Sequence, residues 1–492
     1  MSRTAPDPLL ERVAREPHAS ALQARSASWT RVELLRAADG LAAALLAEGV
    51  GEGDRVAGLL DDDAPAVALI HATRRLGAVH VPLNRRAAPA ELRYQLETAG
   101  AAIVLADAAN IDVARAVAPA GVTVDRVEAL LAAAPCGLPP VLRTEVDLGA
   151  PATIVFTSGT TGRPRGAVLT HDNHRASAHA WAGLLRPVPG HRWLACLPLF
   201  HVAGLAIVTR TTRWGAPLQL LDHYDAQAVS AALDDGVTHL SLVPSQLADL
   251  LDRRDGLAPP AHLAAVLLGG GPIPTELLVR ARAAGYRVLT TYGMTETGSG
   301  IASGGADPAT VADPTAGRAL PGVKLRVVPD GAADGSGQIL VRGEMVFSGY
   351  LDEPGATEAV LRDGWLHTGD IGTLDADGLL RIADRRGDLI VSGGENVYST
   401  EVEEVLYRHP AVLEAAVFGV PDERLGETLA AVIMRKPGAD IDVEAVKTHV
   451  AARLARFKVP EHVWLQRDPL PRLPSGKIYK RALREQAIRA LA

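Results

Sequence analysis

The apolar run Ile154-Val155-Phe156 passes directly into Thr157-Ser158-Gly159-Thr160-Thr161-Gly162-Arg163-Pro164-Arg165-Gly166. A short apolar run of this kind reads as a buried strand. The segment after it is a loop of hydroxyls and glycines with two arginines close behind. Glycine lets a backbone turn sharply and approach another group closely. The N–H groups and hydroxyls of such a turn face one concavity, which suits phosphate oxygens. Arg163 and Arg165 add positive charge there. The loop is not a Walker A loop, because no Gly-Lys-Ser/Thr closes it. Alone it also fits a polar surface turn, and a second, distant segment decides between the two.

The surrounding chain repeats one pattern. Over residues 28–150, apolar segments with helical spacing (33–46) alternate with short buried strands (56–60 and 102–105). That alternation predicts α/β layers. Gly49-Val50-Gly51-Glu52-Gly53 follows a helix and lacks the Gly-x-Gly-x-x-Gly spacing, so it is no dinucleotide loop. Residues 151–300 continue the pattern, with strands expected at 193–199, 239–244 and 264–269. From about 317 to 384 the texture changes. Short alternating strands at 324–328, 338–342 and 379–382, with Asp375-Ala376-Asp377-Gly378 as a hairpin turn, predict a small β-rich subdomain. After Asp384-Arg385-Arg386-Gly387 a compact α+β domain is expected. Its marks are a capping box at Thr400-Glu401-Val402-Glu403 opening a helix to Tyr407, strands at 412–420 and 429–434, an amphipathic helix at 443–454, and a turn at 472–477 before a last helix. The fold class is therefore α/β, with a large multi-layer N-terminal domain (1–386) that includes the β-rich subdomain, and a small α+β C-terminal domain (387–492).

A chain of 492 residues exceeds one ordinary core, which agrees with that division. Its formal net charge of −7 and the lack of a long basic block exclude nucleic acid as a main partner. No apolar run approaches the roughly 18 residues of a membrane span. The first 20 residues carry charges and prolines and no apolar core, so no secretory signal is expected. Cys136 and Cys196 are the only cysteines, which excludes a disulfide framework or a cysteine zinc site. A cytoplasmic location is expected.

The second segment is Tyr292-Gly293-Met294-Thr295-Glu296-Thr297, behind the strand-like Arg287-Val288-Leu289-Thr290. Tyr292 is suited to stack on a planar base. Glu296 is suited to hold a hard cation such as Mg²⁺ on phosphate oxygens. His171, His174 and His179 lie on a helix behind the first loop. His171 and His174 have i,i+3 spacing, but no third ligand is evident. They are expected on an exposed face and not at a metal.

Five segments stand in one order: 157–166, 292–297, Thr368-Gly369-Asp370, Asp384-Arg385 with Ser392-Gly393-Gly394-Glu395-Asn396, and Pro474-Ser475-Gly476-Lys477. In these the chain resembles the acyl-adenylate-forming enzymes, which include acyl- and aryl-CoA synthetases, luciferases and nonribosomal-peptide adenylation domains. The resemblance covers essentially the whole chain. It implies ATP and Mg²⁺, coenzyme A as co-substrate, a small carboxylic acid as substrate, a monomer or homo-oligomer, and a C-terminal domain that moves. It implies that Thr157, Ser158, Gly159, Thr160, Thr161 and Gly162 cradle the β,γ-phosphates, with Thr157 and Glu296 at the metal. Gly269, Gly270, Gly271 and Tyr292 would flank the adenine, and Thr295 would meet the α-phosphate. Asp370 would accept the ribose hydroxyls, with Arg385 in support and Gly393 and Gly394 at the nucleotide. Lys477 would reach the carboxylate and α-phosphate from the C-terminal domain. His201 would stand where the acyl pocket meets the CoA tunnel.

Three positions depart from the family pattern. Arg165 replaces the usual lysine, which keeps the charge. Gly387 stands at the hinge, where Asp or Lys is usual, and is the expected pivot. Ser399 replaces a usual proline in a region that borders CoA.

Closer likeness comes from Pro198-Leu199-Phe200-His201-Val202-Ala203-Gly204-Leu205, from His239-Leu240-Ser241-Leu242-Val243-Pro244-Ser245-Gln246-Leu247, and from Leu267-Leu268-Gly269-Gly270-Gly271-Pro272-Ile273-Pro274. These resemble the branch that activates o-succinylbenzoate, an aromatic keto-diacid of menaquinone biosynthesis. A medium-chain or aryl acyl-CoA synthetase is the alternative among enzymes. A non-catalytic nucleotide-binding sensor is the alternative of another class, against which Lys477, Glu296 and Asp370 speak. The diacid's second carboxylate would need a cation or donors on burial. Arg210, Ser245, Gln246 and Thr297 are the candidates.

Overall fold

A computed structural model describes residues 3–133, 142–157, 164–271, 273–305, 315–329, 335–385, 389–392, 395–422, 425–454, 456–472 and 477–491. Two large sheets share one apolar core, and a third sheet forms the C-terminal region.

The first sheet runs in the order Gly349–Tyr350, Arg165–Thr170, Pro151–Thr157, Val79–Pro82, Arg55–Leu59, Ile103–Ala106 and Thr123–Arg126. Its inner strands are parallel and almost wholly apolar, as strands covered on both faces must be. Helix Ala64–Leu76 makes one crossover, and the Asp63 carboxylate caps its first N–H.

The second sheet is longer. Parallel strands Leu218–Leu220, Trp193–Ala195, His239–Leu242, Ala265–Leu268 and Val288–Met294 lie side by side. The ladder then continues, antiparallel, through Ser299–Gly304, Gly317–Ala319, Leu379–Arg385, Trp365–Leu374, Gly337–Arg342 and Lys324–Pro329. The strands expected after residue 317 are therefore present, and the Asp375–Gly378 turn joins two of them. They make up the β-rich part of the larger region. The three-residue strand Gly317–Ala319 joins them to the parallel half.

The third sheet holds Glu395–Tyr398, Leu389–Ser392, Gly426–Arg435, Val412–Asp422 and His462–Gln466 around its own core of Ile390, Val402, Leu406, Val417 and Ile433. Helix Ser399–Tyr407 packs on it. The expected capping box at Thr400 is absent. The helix starts one residue earlier, Tyr398 is its N-cap, and the Thr400 hydroxyl donates to the Ala383 carbonyl instead. This region touches the larger one where Arg408 pairs with Glu276 at 3.1 Å, the Thr275 N–H meets Glu404 Oε1 at 3.4 Å, and the Ser336 and Tyr398 hydroxyls lie 2.7 Å apart. Among the described residues no helix is long and apolar enough to cross a membrane.

His171 and His174, expected on an exposed face, are buried; only His179 is exposed. The helix His171–Leu185 lies between sheets, so even its polar turns are covered. His174 Nε2 pairs with Thr153 Oγ1 at 2.9 Å. Among the described residues no cluster of His, Cys, Asp and Glu could hold a metal.

Candidate active site

Parallel strands present their carboxyl ends on one edge, where open α/β sheets bind ligands. Here that edge carries Val243 to Gln246, Gly269 to Gly271, and Tyr292 to Thr297. A Cβ on Gly269 would lie 2.1 Å from Thr291 Oγ1, so only glycine fits beside that strand. Gly270 has φ +82°, and nothing lies within 4 Å of a Cβ built on Gly271. Open space lies only at Gly271, at the end of this run of three residues without side chains, a shape suited to a planar ring.

Tyr292 and Asp370 are 78 residues apart in sequence and meet here. The Tyr292 hydroxyl donates to Asp370 Oδ2 at 2.7 Å. Asp370 is only 4% exposed. Its N–H donates to Thr368 Oγ1 at 3.0 Å, and that hydroxyl donates to the Ile339 carbonyl at 2.8 Å. Arg385 stands opposite Asp370 in the strand register. Three of the expected nucleotide positions thus share one place.

Glu296 lies on a single 3₁₀ turn, Thr295–Thr297. Its carbonyl accepts the Phe347 N–H at 2.8 Å, and its Oε1 accepts the Tyr350 hydroxyl at 2.8 Å. Burial and the Glu296 charge push the Tyr350 phenol above its ordinary range, so it is a firm donor at neutral pH. The Arg165 guanidinium lies 5.5 Å from the Tyr350 ring centroid and pairs with Glu353 at 3.0 Å. Thr157 Oγ1 lies 3.4 Å from the Arg165 carbonyl. The flanks of the first loop and Glu296 therefore converge through Tyr350, a residue that sequence reasoning missed. Its sequence signal was slight: a lone tyrosine after Gly349, on a two-residue strand. A carboxylate oriented by a neutral donor is a ligand that fits Mg²⁺.

His201 is the N-cap of helix Val202–Trp214, and its ring lies 4.5 Å from that of Phe200. Two features hold the loop before it. The Leu199 N–H donates to the buried Asp62 carboxylate at 2.9 Å, and Gly204 lets the helix approach to where a Cβ would be 2.3 Å from the Pro198 carbonyl. Arg210, further along this helix, is 2% exposed. Its guanidinium sits 4.8 Å from the Trp181 ring and 5.9 Å from Trp193. Nη2 donates to Ser299 Oγ at 2.9 Å, and Nε has no hydrogen-bond acceptor among the described residues. No described carboxylate pairs with it, and burial pulls its pKa down to about 9. Ser299 itself has φ +125°, a conformation rare for a residue with a Cβ. Such strain gathers at functional sites.

The other candidates for the acyl pocket divide. Ser245 is exposed at the start of helix Pro244–Arg253, beside Val243, which borders Gly270. Gln246 is engaged, since its Oε1 accepts the Val243 N–H at 3.1 Å. Thr297 is engaged within its own turn. It is fully buried, and its hydroxyl accepts the Met294 N–H at 3.0 Å and faces the Met294 and Ser299 carbonyls at 2.9 and 2.7 Å. A single O–H used this way shapes the turn and is not offered to a substrate.

Lys477 is exposed on the C-terminal region, next to the bridge that pairs Arg472 with Ile478. Ser158, Gly159, Thr160, Thr161, Gly162, Gly387, Gly393 and Gly394 lie outside the described residues, as do Pro474, Ser475 and Gly476.

Residues 9–351 match the family of AMP-binding enzymes, and residues 401–477 match the AMP-binding enzyme C-terminal domain. The 2-succinylbenzoate–CoA ligase of Bacillus mycoides (strain KBAB4) is 37% identical over 491 residues, 98% of each chain. Among solved structures, the o-succinylbenzoate CoA synthetase MenE from Bacillus subtilis in complex with the acyl-adenylate intermediate OSB-AMP has a TM-score of 0.91 at 33% identity, covering 99% of this chain and 98% of that one. A double mutant of that enzyme bound with its product analogue OSB-NCoA has a TM-score of 0.75, again at 33% identity, covering 98% and 99%.

Proposed function

Because the chain belongs to the AMP-binding enzyme family, we propose that it is an ATP-dependent carboxylate–CoA ligase whose acid is o-succinylbenzoate. In the first half-reaction a carboxylate oxygen attacks the α-phosphorus of ATP, and pyrophosphate leaves. In the second, the thiol of coenzyme A attacks the acyl carbon of the acyl-AMP, loses its proton, and AMP leaves.

The first step brings an anion against an anion, so its barrier is lowered by positioned opposite charge. Asp370 accepts from the ribose hydroxyls and Tyr292 holds it in place. The corner at Gly269 to Gly271 takes the adenine. Glu296, held by Tyr350, and Thr157 would bind Mg²⁺, which supplies positive charge to the phosphate oxygens. Thr295 faces the α-phosphate. Lys477, from residues 387–492, neutralises charge that develops on the bridging oxygen. The greater likeness to the OSB-AMP complex than to the OSB-NCoA complex supports an adenylate-forming arrangement of the chain.

Arg210 is the observation that carries the choice of acid. A buried guanidinium without a carboxylate is costly unless a ligand brings one. The second carboxylate of a diacid is such a partner, and Arg210 lies on the same helix that His201 opens. Ser299 would stand beside them. A monocarboxylic acid would leave Arg210 uncompensated. The test is a panel of acids with ATP and coenzyme A on the wild type and on Arg210→Ala. The substitution should raise KM for o-succinylbenzoate about 10-fold or more, the scale of a charged hydrogen bond, and leave KM for ATP nearly unchanged. A monocarboxylate analogue should lose little. Equal losses for diacid and monoacid would make Arg210 structural. A wild type that prefers plain fatty or benzoic acids would overturn the choice of acid and leave adenylation standing.

A further inference from the structure

Lys477 is exposed, yet a lysine that acts on a phosphoryl centre must arrive there reproducibly. Three residues beyond it, Lys480 begins helix Lys480–Leu491. Lys480 Nζ lies 2.8 Å from Glu403 Oε1 and 2.7 Å from Ser399 Oγ. Glu403 is 4% exposed, and its Oε1 also accepts the Val417 N–H at 2.7 Å. The ammonium therefore balances a carboxylate inside the C-terminal core, a tie that is costly to break because the remaining charge stays buried. The helix is seated beside that core through Leu483 and Ala487 against Phe418 and Val420.

On the other side of Lys477 a second tie exists. Arg472 pairs with Glu414, whose Oε2 accepts the Leu470 N–H at 2.9 Å, and Arg472 bridges to Ile478. The Tyr479 N–H donates to the Pro471 carbonyl at 2.7 Å. Lys477 thus stands between two charge-pinned points. Three residues of chain reach at most about 10 Å, so a shift of Lys480 is passed directly to Lys477. Ser399 occupies the position where the family usually has proline. A pyrrolidine ring would offer Lys480 no oxygen.

We propose that Lys480, clamped by Glu403 and Ser399, is a positioning residue for Lys477 in adenylation. The proposal rests on the reading of Lys477 given above. The test compares Lys480→Met, Lys480→Arg and Ser399→Ala with the wild type in three measurements: pyrophosphate exchange, thioester formation from preformed acyl-AMP, and thermal unfolding. Lys480→Met should lower the turnover of exchange about 10-fold or more, with KM for ATP changed less than about 2-fold, and spare thioester formation. Lys480→Arg should restore most of the exchange. Ser399→Ala, which uncovers no charge, should lower exchange by about 3-fold and nothing else. It keeps the test decisive if Lys480→Met does not fold. Parallel loss of both half-reactions with a fall in unfolding temperature overturns the proposal, as does full exchange in Lys480→Met. Lys477→Ala separates the two readings. Exchange that survives in it overturns the role of Lys477 and this proposal together. Exchange lost in it but kept in Lys480→Met overturns this proposal alone.

Discussion

The Tyr350 hydroxyl donates to Glu296 Oε1 at 2.8 Å, across 54 residues of sequence, and aims the carboxylate of a short 3₁₀ turn. Removing that donor leaves Glu296 free to rotate. Tyr350→Phe should therefore weaken metal-dependent adenylation by about 10- to 100-fold, the range for a hydrogen bond to a charged group. The loss should be partly recovered at high Mg²⁺, because the acid is still present and only its orientation is lost. Pyrophosphate exchange across a Mg²⁺ series measures this. An unchanged Mg²⁺ dependence would mean that Tyr350 merely packs.

Asp370 offers a parallel case with a different readout. Its carboxylate is buried and oriented by the Tyr292 hydroxyl, and the proposed role for it is to accept ribose hydroxyls. Asp370→Ala should raise KM for ATP or lower turnover by about 10- to 100-fold in total. A 2′-deoxy nucleotide should lose less in the variant than in the wild type, since one of its hydroxyls is already missing. Wild-type kinetics in the variant would place the ribose elsewhere.

Asp62 carries a pH signature. Burial is the main cause that raises its pKa to about 6; the Leu199 N–H, Arg85 and Arg86 oppose this, and Asp61 adds to it. The folded value lies above the unfolded value of 3.8, so the folded state holds the proton more tightly. The stability this brings is complete below pH 3.8 and is lost as pH rises through about 6. At pH 8 the buried charge costs about 3 kcal/mol relative to acid conditions. Asp62→Asn keeps an oxygen for the Leu199 N–H and removes the charge. It should raise unfolding free energy at pH 8 by about 1–3 kcal/mol and change it little at pH 4. Urea unfolding at both pH values decides the matter.

How much of this was legible beforehand depends on the range over which each residue acts. Tyr292 and Glu296 sit in one short segment, so their chemistry could be read locally, although the Tyr292–Asp370 bond could not. Thr297 belongs to the same segment, and only the folded turn reveals that its hydroxyl accepts the Met294 N–H and donates toward the Ser299 carbonyl. Arg210 has helical neighbours that fit a solvated face as well as a buried one. Trp181 and Trp193, which cover it, come from other elements. The strands after residue 317 showed in their alternation, but a three-residue strand that joins two half-sheets carries almost no periodic signal. Long-range pairing decides such points, and spacing along the chain does not encode it.

The misjudged histidines lead to the last prediction. His71 and His171 are pulled down to about 3, and His80 and His174 to about 4, in each case mainly by burial; Arg74 adds to it at His71, His171 and His174, Arg213 at His171 and His174, and His174 at His80. They stay neutral in the folded state, whereas in the unfolded chain they take up protons below pH 6.5. Their folded values are depressed, so the stability they bring is present above pH 6.5 and is lost as pH falls toward 4. Asp62 acts in the opposite direction over much of the same window. The depressed imidazoles outweigh Asp62 in number and in size of shift, so the unfolding free energy should fall between pH 6.5 and 4. His174→Gln keeps a partner for Thr153 Oγ1 and removes one titrating ring. It should flatten the fall of unfolding free energy between pH 6.5 and 4.5 and have a small effect at pH 8. A variant whose stability falls in parallel with the wild type across that window would show that His174 takes up its proton in the fold as it does in the unfolded chain, and the buried, neutral assignment would be wrong.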